Sequence, residues 1–388
     1  MFVQAKAVTN IALGVYLHIP FCARHCDFCN FYQESPERGL IGRYLKGLET
    51  ELLLRPLDRP VETVFWGGGT PGLLPANDLK RLGMALKSQF STAPAEWTVE
   101  MAPSTVKADK IEALLEMGVT RISMGVQSFN EARLEALGRT HSRKQVVQAI
   151  ETIRSVGCKN LNLDMIFGIP GQSLEAWRDD LNEAIGFGPE HLSTYCLTFE
   201  EDTALWIKLQ KGATKRFSDD EEAAFYEVSM DVLEGAGYPQ YEISNFAQPG
   251  YACLHNRQTW KMQEWIGYGP SASSQFKGLR WMNPPSIDRW LEGVEAGQLI
   301  EEDRVILDSN ILAADSLIFG LRMNEGVDLA QLKDRFSTVN WLPIEVRIGH
   351  WNQAGLIVLN EGCCALSRAG RMVADRIGTE ILEVFDSI

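Results

Sequence analysis

Apolar, strand-like runs alternate with amphipathic segments through the first half of the chain. Six such runs predict strands at 15–19, 61–66, 97–101, 121–126, 160–167 and 191–198. Between them, apolar residues recur with helical spacing at 40–54, 77–88, 107–117, 143–156 and 174–185. Strands that alternate with helices are typical of a parallel sheet. Because no seventh or eighth unit is evident, we predict an α/β fold whose sheet is an open, partial (β/α)6 barrel similar to a TIM barrel.

The pattern changes in the second half. An acidic helix is predicted at 219–235, and a loop-rich stretch follows. After Asp303 the helical segments are 311–322, 328–336 and 344–354, and a short strand pair surrounds residues 356–366. Helices followed by a small hairpin predict a winged-helix-like module. We therefore divide the chain into a barrel (1–240), an extension of the barrel (241–302) and a small, mainly helical C-terminal domain (303–388).

Composition narrows the classes of function. The 388 residues carry a formal net charge of −14, with a pI near 5.0, which argues against a nucleic-acid surface. The predicted winged-helix segment, 344–355, contains Arg347 as its one strong cation, so DNA binding is not expected. No apolar run approaches the roughly 18 residues of a membrane span, and residues 1–10 lack the apolar region of a leader peptide.

Three of the eight cysteines lie together, directly behind the first predicted strand. Cys22, Cys26 and Cys29 must share one small volume, which indicates a metal or an iron–sulfur cluster. The position where a fourth cysteine is expected holds Phe31. Three thiolates on a [4Fe-4S] cluster leave one iron open, as S-adenosylmethionine (SAM) chemistry requires. The alternative is a zinc site with His25 as the fourth ligand, whose spacing is poor because His25 adjoins Cys26.

The other cysteines are scattered and do not form a disulfide framework. Reduced thiols and an oxygen-sensitive cluster both indicate the cytoplasm.

Polar or glycine residues lie at or near the ends of the first five predicted strands. Besides the cysteine loop, they are Gly67-Gly68-Gly69-Thr70, Glu100 and Gln127, and Asp164 lies within the fifth strand, which ends in Gly168. Groups at the carboxyl ends of barrel strands converge on one pocket, so these residues predict a single site. The alternatives are a tight turn for the glycines, a structural salt bridge for Glu100, and ordinary strand-end polarity for the others.

The Cys-x3-Cys-x2-Cys spacing, with Phe28 before the last cysteine, resembles the signature of the radical SAM superfamily. The flanking YLHIPFC and NF resemble the family of oxygen-independent coproporphyrinogen III oxidases and HemW-type heme chaperones, and the likeness extends from about residue 16 to 376. It implies a partial barrel that binds a [4Fe-4S] cluster on Cys22, Cys26 and Cys29. It also implies SAM contacts from Tyr16, Phe28, Gly68, Gly69, Thr70, Glu100, Gln127, Arg139 and Asp164.

A degraded motif extends the resemblance into the second half. Where HemW-type proteins carry HNxxYW, this chain has His255, Asn256, Thr259 and Trp260, so that threonine replaces tyrosine. Ser273 stands where relatives commonly have histidine. The resemblance implies that His255 is an axial heme ligand, a role that a neutral imidazole suits. The alternative is a structural histidine.

Three functions stay open on the sequence. The first is a heme chaperone that binds heme or a related tetrapyrrole and transfers it to an acceptor protein. The second is a catalytic relative that decarboxylates a porphyrinogen or performs another radical reaction, such as methyl transfer or cyclopropanation. The third is a structural zinc protein. Phe31 and the short segment before Tyr16 favour the chaperone, whereas Thr259 and Ser273 leave room for the enzyme. No motif specifies the acceptor or the electron donor.

Overall fold

A computed structural model describes residues 13–386. Residues 1–12, on which the prediction of no leader peptide depends, lie outside the described residues, as do the last two residues of the predicted C-terminal domain. Within 13–386, no helix has both the length and the apolar character needed to span a bilayer.

The six predicted strands are all present and pair in parallel in chain order. They are β1 (Leu13–Ile19), β2 (Val61–Gly68), β3 (Glu96–Met101), β4 (Arg121–Gln127), β5 (Leu161–Phe167) and β6 (His191–Cys196). Their bounds differ from the predicted ones by at most two residues at each end. The prediction of a parallel α/β fold is confirmed.

Six α-helices connect these strands, one more than predicted. They are α1 (Arg38–Leu54), α2 (Ala76–Lys87), α3 (Ala108–Met117), α4 (Glu131–Ala136), α5 (Arg143–Ser155) and α6 (Leu174–Gly186). Helix α4 was missed because its six residues are too few to show a helical period. Its start is fixed by Asn130, whose side chain accepts a hydrogen bond from the Arg133 N–H at 3.2 Å.

The two faces of the sheet differ in character. In β1 the alternate residues Leu13, Val15, Leu17 and Ile19 are fully buried in the main apolar core, with α1 and the other helices of the barrel. The opposite face of the same strand carries Gly14, Tyr16 and His18. Successive side chains along a strand point to opposite faces of the sheet. The residues that pair with these three in the neighbouring strand therefore continue the same polar and aromatic face. We call the space that it lines the lumen.

The sheet continues beyond β6 and also on the other side of β1. The additional elements are α7 (Ala204–Gln210), α8 (Asp219–Gly235), β7 (Gln240–Glu242), β8 (Asn245–Ala247), α9 (Leu254–Trp260), β9 (Trp265–Tyr268), β10 (Ser273–Phe276), β11 (Leu279–Met282), α10 (Ile287–Glu295) and β12 (Glu302–Ile306). The resulting order is β12-β11-β10-β9-β1-β2-β3-β4-β5-β6-β8-β7. Strand β9 pairs in parallel with β1, so the sheet has a seventh parallel strand that the sequence pattern did not predict.

The C-terminal segment has an apolar core of its own. Its elements are α11 (Ser309–Leu321), β13 (Val327–Asp328), α12 (Leu329–Arg335), α13 (Leu342–Gln353), β14 (Ile357–Asn360), β15 (Cys363–Leu366), α14 (Arg368–Met372) and α15 (Ala374–Asp386). The three strands form a small antiparallel sheet beside the helices. The division of the chain at residues 240 and 302 stays a prediction.

Candidate functional site

The loop after β1 carries Cys22, Cys26 and Cys29, and backbone hydrogen bonds fix it at several points. The Cys22 N–H donates to the Glu34 carbonyl at 3.0 Å, and the Cys29 N–H donates to the Cys26 carbonyl at 3.2 Å. Between them, the Asp27 N–H donates to the carbonyl of Leu137 at 3.0 Å. The loop is therefore tied to its own far end and to the segment after α4.

All three thiols are partly buried and outside any disulfide. Burial raises the pKa of Cys22 to about 11, and the neighbouring Cys26 and Cys29 add to this shift, whereas Thr70 and Arg139 oppose it. The Cys22 thiol is then protonated at neutral pH, and binding of iron, which takes the thiolate, releases its proton.

The side chains around the cysteine loop do not form a site for a single metal ion in the described part of the chain. Among residues 13–386, no three His, Cys, Asp or Glu side chains meet closely enough to hold one metal ion. A cubane offers a separate iron to each thiolate, so its ligands need not converge on one point. His25, the fourth ligand in the zinc alternative, is exposed.

Arg139 and Gln127 meet beside the cysteine loop. A methyl group added to Gly125 would lie 2.9 Å from Gln127 Nε2 and 3.4 Å from Arg139 Nη2, which places both side chains over that glycine. The Arg139 guanidinium also lies 5.8 Å from the ring centre of Phe28. Its Nε is buried and has no hydrogen-bond partner within the described chain. A buried donor left open in this way suits a ligand carboxylate.

The turn after β2 packs tightly against the protein itself. A methyl group on Gly67 would lie 2.8 Å from a carboxylate oxygen of Glu100, and one on Gly68 would lie 2.5 Å from the ring of His18. Gly68 also has φ +98°, which favours glycine. The family resemblance implies that Gly68 contacts SAM, and the structure shows that Gly67 and Gly68 also make room for the side chains of Glu100 and His18.

Gly69 and Thr70 join this turn to the cysteine loop. The Gly69 N–H donates to the Ile19 carbonyl, and the Thr70 N–H donates to the Phe21 carbonyl, both at 2.8 Å. The Thr70 hydroxyl lies 3.7 Å from the sulfur of Cys22. The turn and the cluster loop are therefore one hydrogen-bonded unit.

Glu100 and Asp164 lie on the lumen face of the sheet, on strands β3 and β5. Burial, with a smaller contribution from the charge of Asp164, raises the pKa of Glu100 to about 8, while the Gly68 N–H acts in the opposite direction. Asp164 accepts hydrogen bonds from Asn162 Nδ2 at 2.8 Å and from Ser123 Oγ at 3.1 Å. Glu100 is therefore mainly protonated at neutral pH, and a cationic ligand beside it would lower its pKa and favour the carboxylate.

Tyr16 and His18 form a short chain of hydrogen bonds that leads to Tyr32, just after the cysteine loop. Burial lowers the pKa of His18 to about 4, so its ring is neutral. His18 Nε2 donates to the Tyr32 carbonyl at 3.0 Å. Nδ1 is then the acceptor, and the Tyr16 hydroxyl donates to it at 3.2 Å.

The lumen is open rather than filled. Tyr195 lies in β6, which has strands on both sides, yet it is 42% exposed. Since neighbours within the sheet cover the backbone, this exposed area faces an accessible space inside the barrel.

His255 lies near the opposite end of the lumen from the cysteine loop. Its Nδ1 is 2.9 Å from the hydroxyl of Thr63, and its ring packs on Phe65 with 5.3 Å between ring centres. Thr63 precedes Gly67 by four residues, or roughly 13 Å along β2. The structure therefore does not bring His255 to the strand ends that carry the cluster loop.

Hydrogen bonds fix the tautomer of the His255 ring. The Thr63 hydroxyl donates to Gln258 Oε1 at 3.1 Å, so it accepts from His255, and Nδ1 carries the proton. Burial lowers the pKa of His255 to about 4, despite the opposite effect of Glu96, and the ring is neutral. Nε2 then presents a lone pair, and it has no hydrogen-bond partner among residues 13–386. Metal-binding imidazoles commonly have this arrangement.

Glu96 holds the start of the helix that carries His255. Its carboxylate accepts from the backbone N–H groups of Leu254 and His255, each at 3.0 Å, and from the thiol of Cys253 at 3.3 Å. A carboxylate at a helix N-terminus stabilises the helix.

Sequence reasoning did not select Thr63, Phe65 or Glu96. The period of two along β2, counted back from Gly67, would have placed Thr63 and Phe65 on the lumen face. Glu96 lay just outside the predicted third strand. Of the two departures from the family motif, Thr259 donates to the His255 carbonyl at 3.0 Å, and Ser273 is exposed on β10.

Comparison with known proteins gives consistent results. Residues 16–184 match the radical SAM superfamily, and residues 307–373 match the HemN C-terminal domain. The chain is 37% identical to the heme chaperone HemW of Escherichia coli K12 over 67% of this chain and 69% of that protein. It is 31% identical to heme chaperone HemW of Bacillus subtilis 168 over 94% of this chain and 97% of that protein.

The fold has a solved counterpart. The structure of coproporphyrinogen III oxidase (HemN) from Escherichia coli, described as a radical SAM enzyme, superposes with a TM-score of 0.83. The match covers 97% of this chain and 90% of that one, at 22% identity, and shows that the two chains share a fold.

Proposed function

This chain belongs to the radical SAM superfamily and, within it, to the family of HemW heme chaperones, and we propose that it binds heme and transfers it to an acceptor protein. His255 is the proposed axial ligand. The observation that carries this proposal is the orientation of its ring, with Nδ1–H bonded to Thr63 and Nε2 left with a free lone pair. Neutral imidazole in this state is ready to bind iron without a competing proton.

Cys22, Cys26 and Cys29 are the proposed ligands of a [4Fe-4S] cluster. Their partly buried loop and the absence of any disulfide among them suit this role. When bound, such a cluster supplies an electron to SAM. The cysteine loop and the Gly69–Thr70 turn hold each other in place, which would fix the cluster relative to the second ligand.

SAM is the proposed second ligand at this end of the lumen. Arg139 offers a buried, unpartnered donor for the methionine carboxylate, and Gln127 lies beside it. A cationic ammonium group would favour the carboxylate form of Glu100, which lies close to the turn formed by Gly68, Gly69 and Thr70. Asp164 suits the ribose hydroxyls as an acceptor, and Tyr16 and Phe28 offer aromatic faces for adenine.

A titration of the cluster-loaded protein with heme under anaerobic conditions tests the chaperone function. We expect wild type to bind one heme with the spectrum of a histidine-ligated iron, and His255→Ala to bind at least tenfold more weakly with a shifted Soret band. Equal affinity and identical spectra for the two proteins would contradict the assignment of His255.

The second candidate function is a radical reaction on a tetrapyrrole, such as decarboxylation. The open lumen beside Glu100 and Asp164, where Tyr195 is 42% exposed, favours it because a substrate could enter there. If this function is correct, the anaerobic protein with dithionite converts the tetrapyrrole and consumes SAM in proportion. If the chaperone function is correct, the tetrapyrrole is recovered unchanged.

A further inference from the structure

Helix α9 contacts the rest of the protein through two of its faces. His255 and Gln258 point toward the barrel, where both contact the hydroxyl of Thr63. Arg257, Trp260 and Lys261 lie on another side of the same helix, at the spacings of three and four residues that bring side chains together. The second face meets the C-terminal segment, which carries its own apolar core.

The carboxylate of Glu325, in the C-terminal segment, forms ion pairs with both Arg257 and Lys261. Glu325 lies between α11 and β13, and its Oε2 accepts from Arg257 Nη2 at 3.1 Å. Its Oε1 lies 2.6 Å from Lys261 Nζ. Glu325 thus links two cations at the C-terminal end of α9, Arg257 within the helix and Lys261 directly after it.

Aromatic contacts reinforce the same junction. The ring of Trp260 stacks on Phe319 of α11, with 5.8 Å between centres and an interplanar angle of 26°. The guanidinium of Arg322 lies 4.8 Å from the Trp260 ring centre. Stacking and a cation over an indole both stabilise such a contact beyond the burial of area.

The loop that carries Glu325 is itself fastened to the barrel. The Arg322 carbonyl accepts from the Ile243 N–H at 3.1 Å, and Asn324 Nδ2 donates to the Gln240 carbonyl at 2.7 Å. Glu325 therefore contacts α9 from a loop that hydrogen bonds fix to β7 and to the residue that follows it.

We propose that Glu325, Phe319 and Arg322 are positioning residues for the heme ligand: through α9, the C-terminal segment sets the orientation of the His255 ring, and loosening this junction releases heme. The inference rests on the proposed heme function. It assigns to the C-terminal segment an indirect part in heme retention, through α9, because none of the three residues contacts His255 itself.

The test measures heme dissociation and the spectrum of the iron in charge variants of the full chain. We expect Glu325→Lys to speed dissociation about fivefold and to broaden the low-spin EPR signal, since a partly exposed ion pair contributes a few-fold to an equilibrium. Adding Lys261→Glu to Glu325→Lys restores an opposite-charge pair and should return the rate toward wild type. Phe319→Ala should speed dissociation about tenfold because stacking on Trp260 is lost.

Glu345→Gln is the matched control. It breaks an ion pair with Lys333 inside the C-terminal segment and touches no residue of α9. We expect its dissociation rate and EPR signal to equal those of wild type. A change in Glu345→Gln as large as that in Glu325→Lys, or no rescue by the double variant, would overturn the positioning role.

The outcomes separate this inference from the function on which it rests. If wild type and His255→Ala bind heme alike, the proposed heme function fails. If His255→Ala alone loses heme, and Glu325→Lys and Phe319→Ala match wild type in rate and spectrum, only the positioning role fails. Thermal unfolding of each variant without heme distinguishes a general loss of stability from a local effect on the ligand.

Discussion

The three cysteines of the first loop lie in one short segment, whereas the remaining five lie elsewhere in the chain. Cys158, for example, is buried, and its thiol donates to the Asn160 carbonyl at 3.5 Å. We expect Cys26→Ser to lose most of its iron and sulfide after anaerobic reconstitution, because a cubane held by two thiolates is poorly retained. Cys158→Ser is the control and should match wild type. Full iron and sulfide content in Cys26→Ser would show that this residue is not a ligand.

Glu100 makes the stability of the cluster-free protein depend on pH. Its pKa is raised from 4.5 to about 8 in the folded state, mainly by burial. The folded carboxyl thus holds its proton more tightly than the unfolded one, and stability falls as the pH rises from 4.5 to 8. Glu100→Gln removes this penalty.

We expect Glu100→Gln to be more stable than wild type by about 2 kcal/mol at pH 8.5, less than the full shift implies because the lumen admits water. The two proteins should be equally stable at pH 4.5, where Glu100 is protonated when folded. Urea unfolding at the two pH values measures this. A difference that is constant with pH would exclude the raised pKa as its cause.

The lowered pKa of His255 predicts how heme coordination responds to a fall in pH. Burial lowers its pKa from 6.5 to about 4, so Nε2 stays unprotonated well below neutral pH. We expect the spectrum of the heme complex to be unchanged between pH 7.5 and pH 5.5. A titration with a midpoint near 6.5 would indicate a solvent-exposed imidazole instead.

At the level of elements, the glycine turn after β2 determines how the cluster loop is held. Gly68 and Gly118 both have positive φ, +98° and +100°, but a methyl group meets the His18 ring only at Gly68 and finds no atom within 4 Å at Gly118. We expect Gly118→Ala to cost about 1 kcal/mol from backbone strain alone. Gly68→Ala should cost about 2–4 kcal/mol because the ring must also move.

Denaturant unfolding measures these costs, and SAM binding by the reconstituted proteins gives a second comparison. We expect Gly68→Ala to lose SAM affinity and Gly118→Ala to keep it. Equal stability of the two variants would mean that the turn relaxes freely and that His18 does not depend on it.

The sequence was sufficient to predict the elements with long, regular patterns. The six core strands and the acidic helix α8 were found because five or more residues repeat one period. Strands β7 to β12 have three to five residues each, too few for the sequence pattern to predict them as strands, so the seventh parallel strand was missed. Their pairing depends on contacts far apart in the chain, such as β9 with β1.

The candidate site was predicted where chemistry determines the residue type and missed where packing does. Cysteines, glycines and strand-end carboxylates stood out in the chain without knowledge of their neighbours. Thr63 and Glu96 are ordinary residues whose importance comes from contacts with α9, some 160 to 190 positions away. No local pattern could have indicated these contacts.

In the whole molecule, the proposed cluster site and the proposed heme ligand lie apart. The cysteine loop lies at the carboxyl ends of the parallel strands, and His255 lies roughly 13 Å lower along β2. The two sites should therefore be separable by mutation. We expect His255→Ala to retain a full cluster and Cys26→Ser to retain heme affinity within about threefold. Loss of both ligands in either variant would show that one site depends on the other.

The separation of the two sites also determines what the lumen can be used for. A tetrapyrrole bound through His255 would be held at one end, whereas most of the proposed SAM contacts are at the other. Tyr16 lies between them, because its ring stacks on Phe65 and Phe65 packs on His255. This arrangement favours retention of heme over its chemical conversion.

The most direct test of the chaperone proposal is the fate of the tetrapyrrole itself. The reconstituted protein is incubated anaerobically with heme, SAM and dithionite, and mass spectrometry follows both heme and 5′-deoxyadenosine. We expect heme to be recovered with unchanged mass, and 5′-deoxyadenosine not to increase in proportion to it. A decarboxylated or methylated tetrapyrrole, formed together with a matching amount of 5′-deoxyadenosine, would contradict the chaperone proposal.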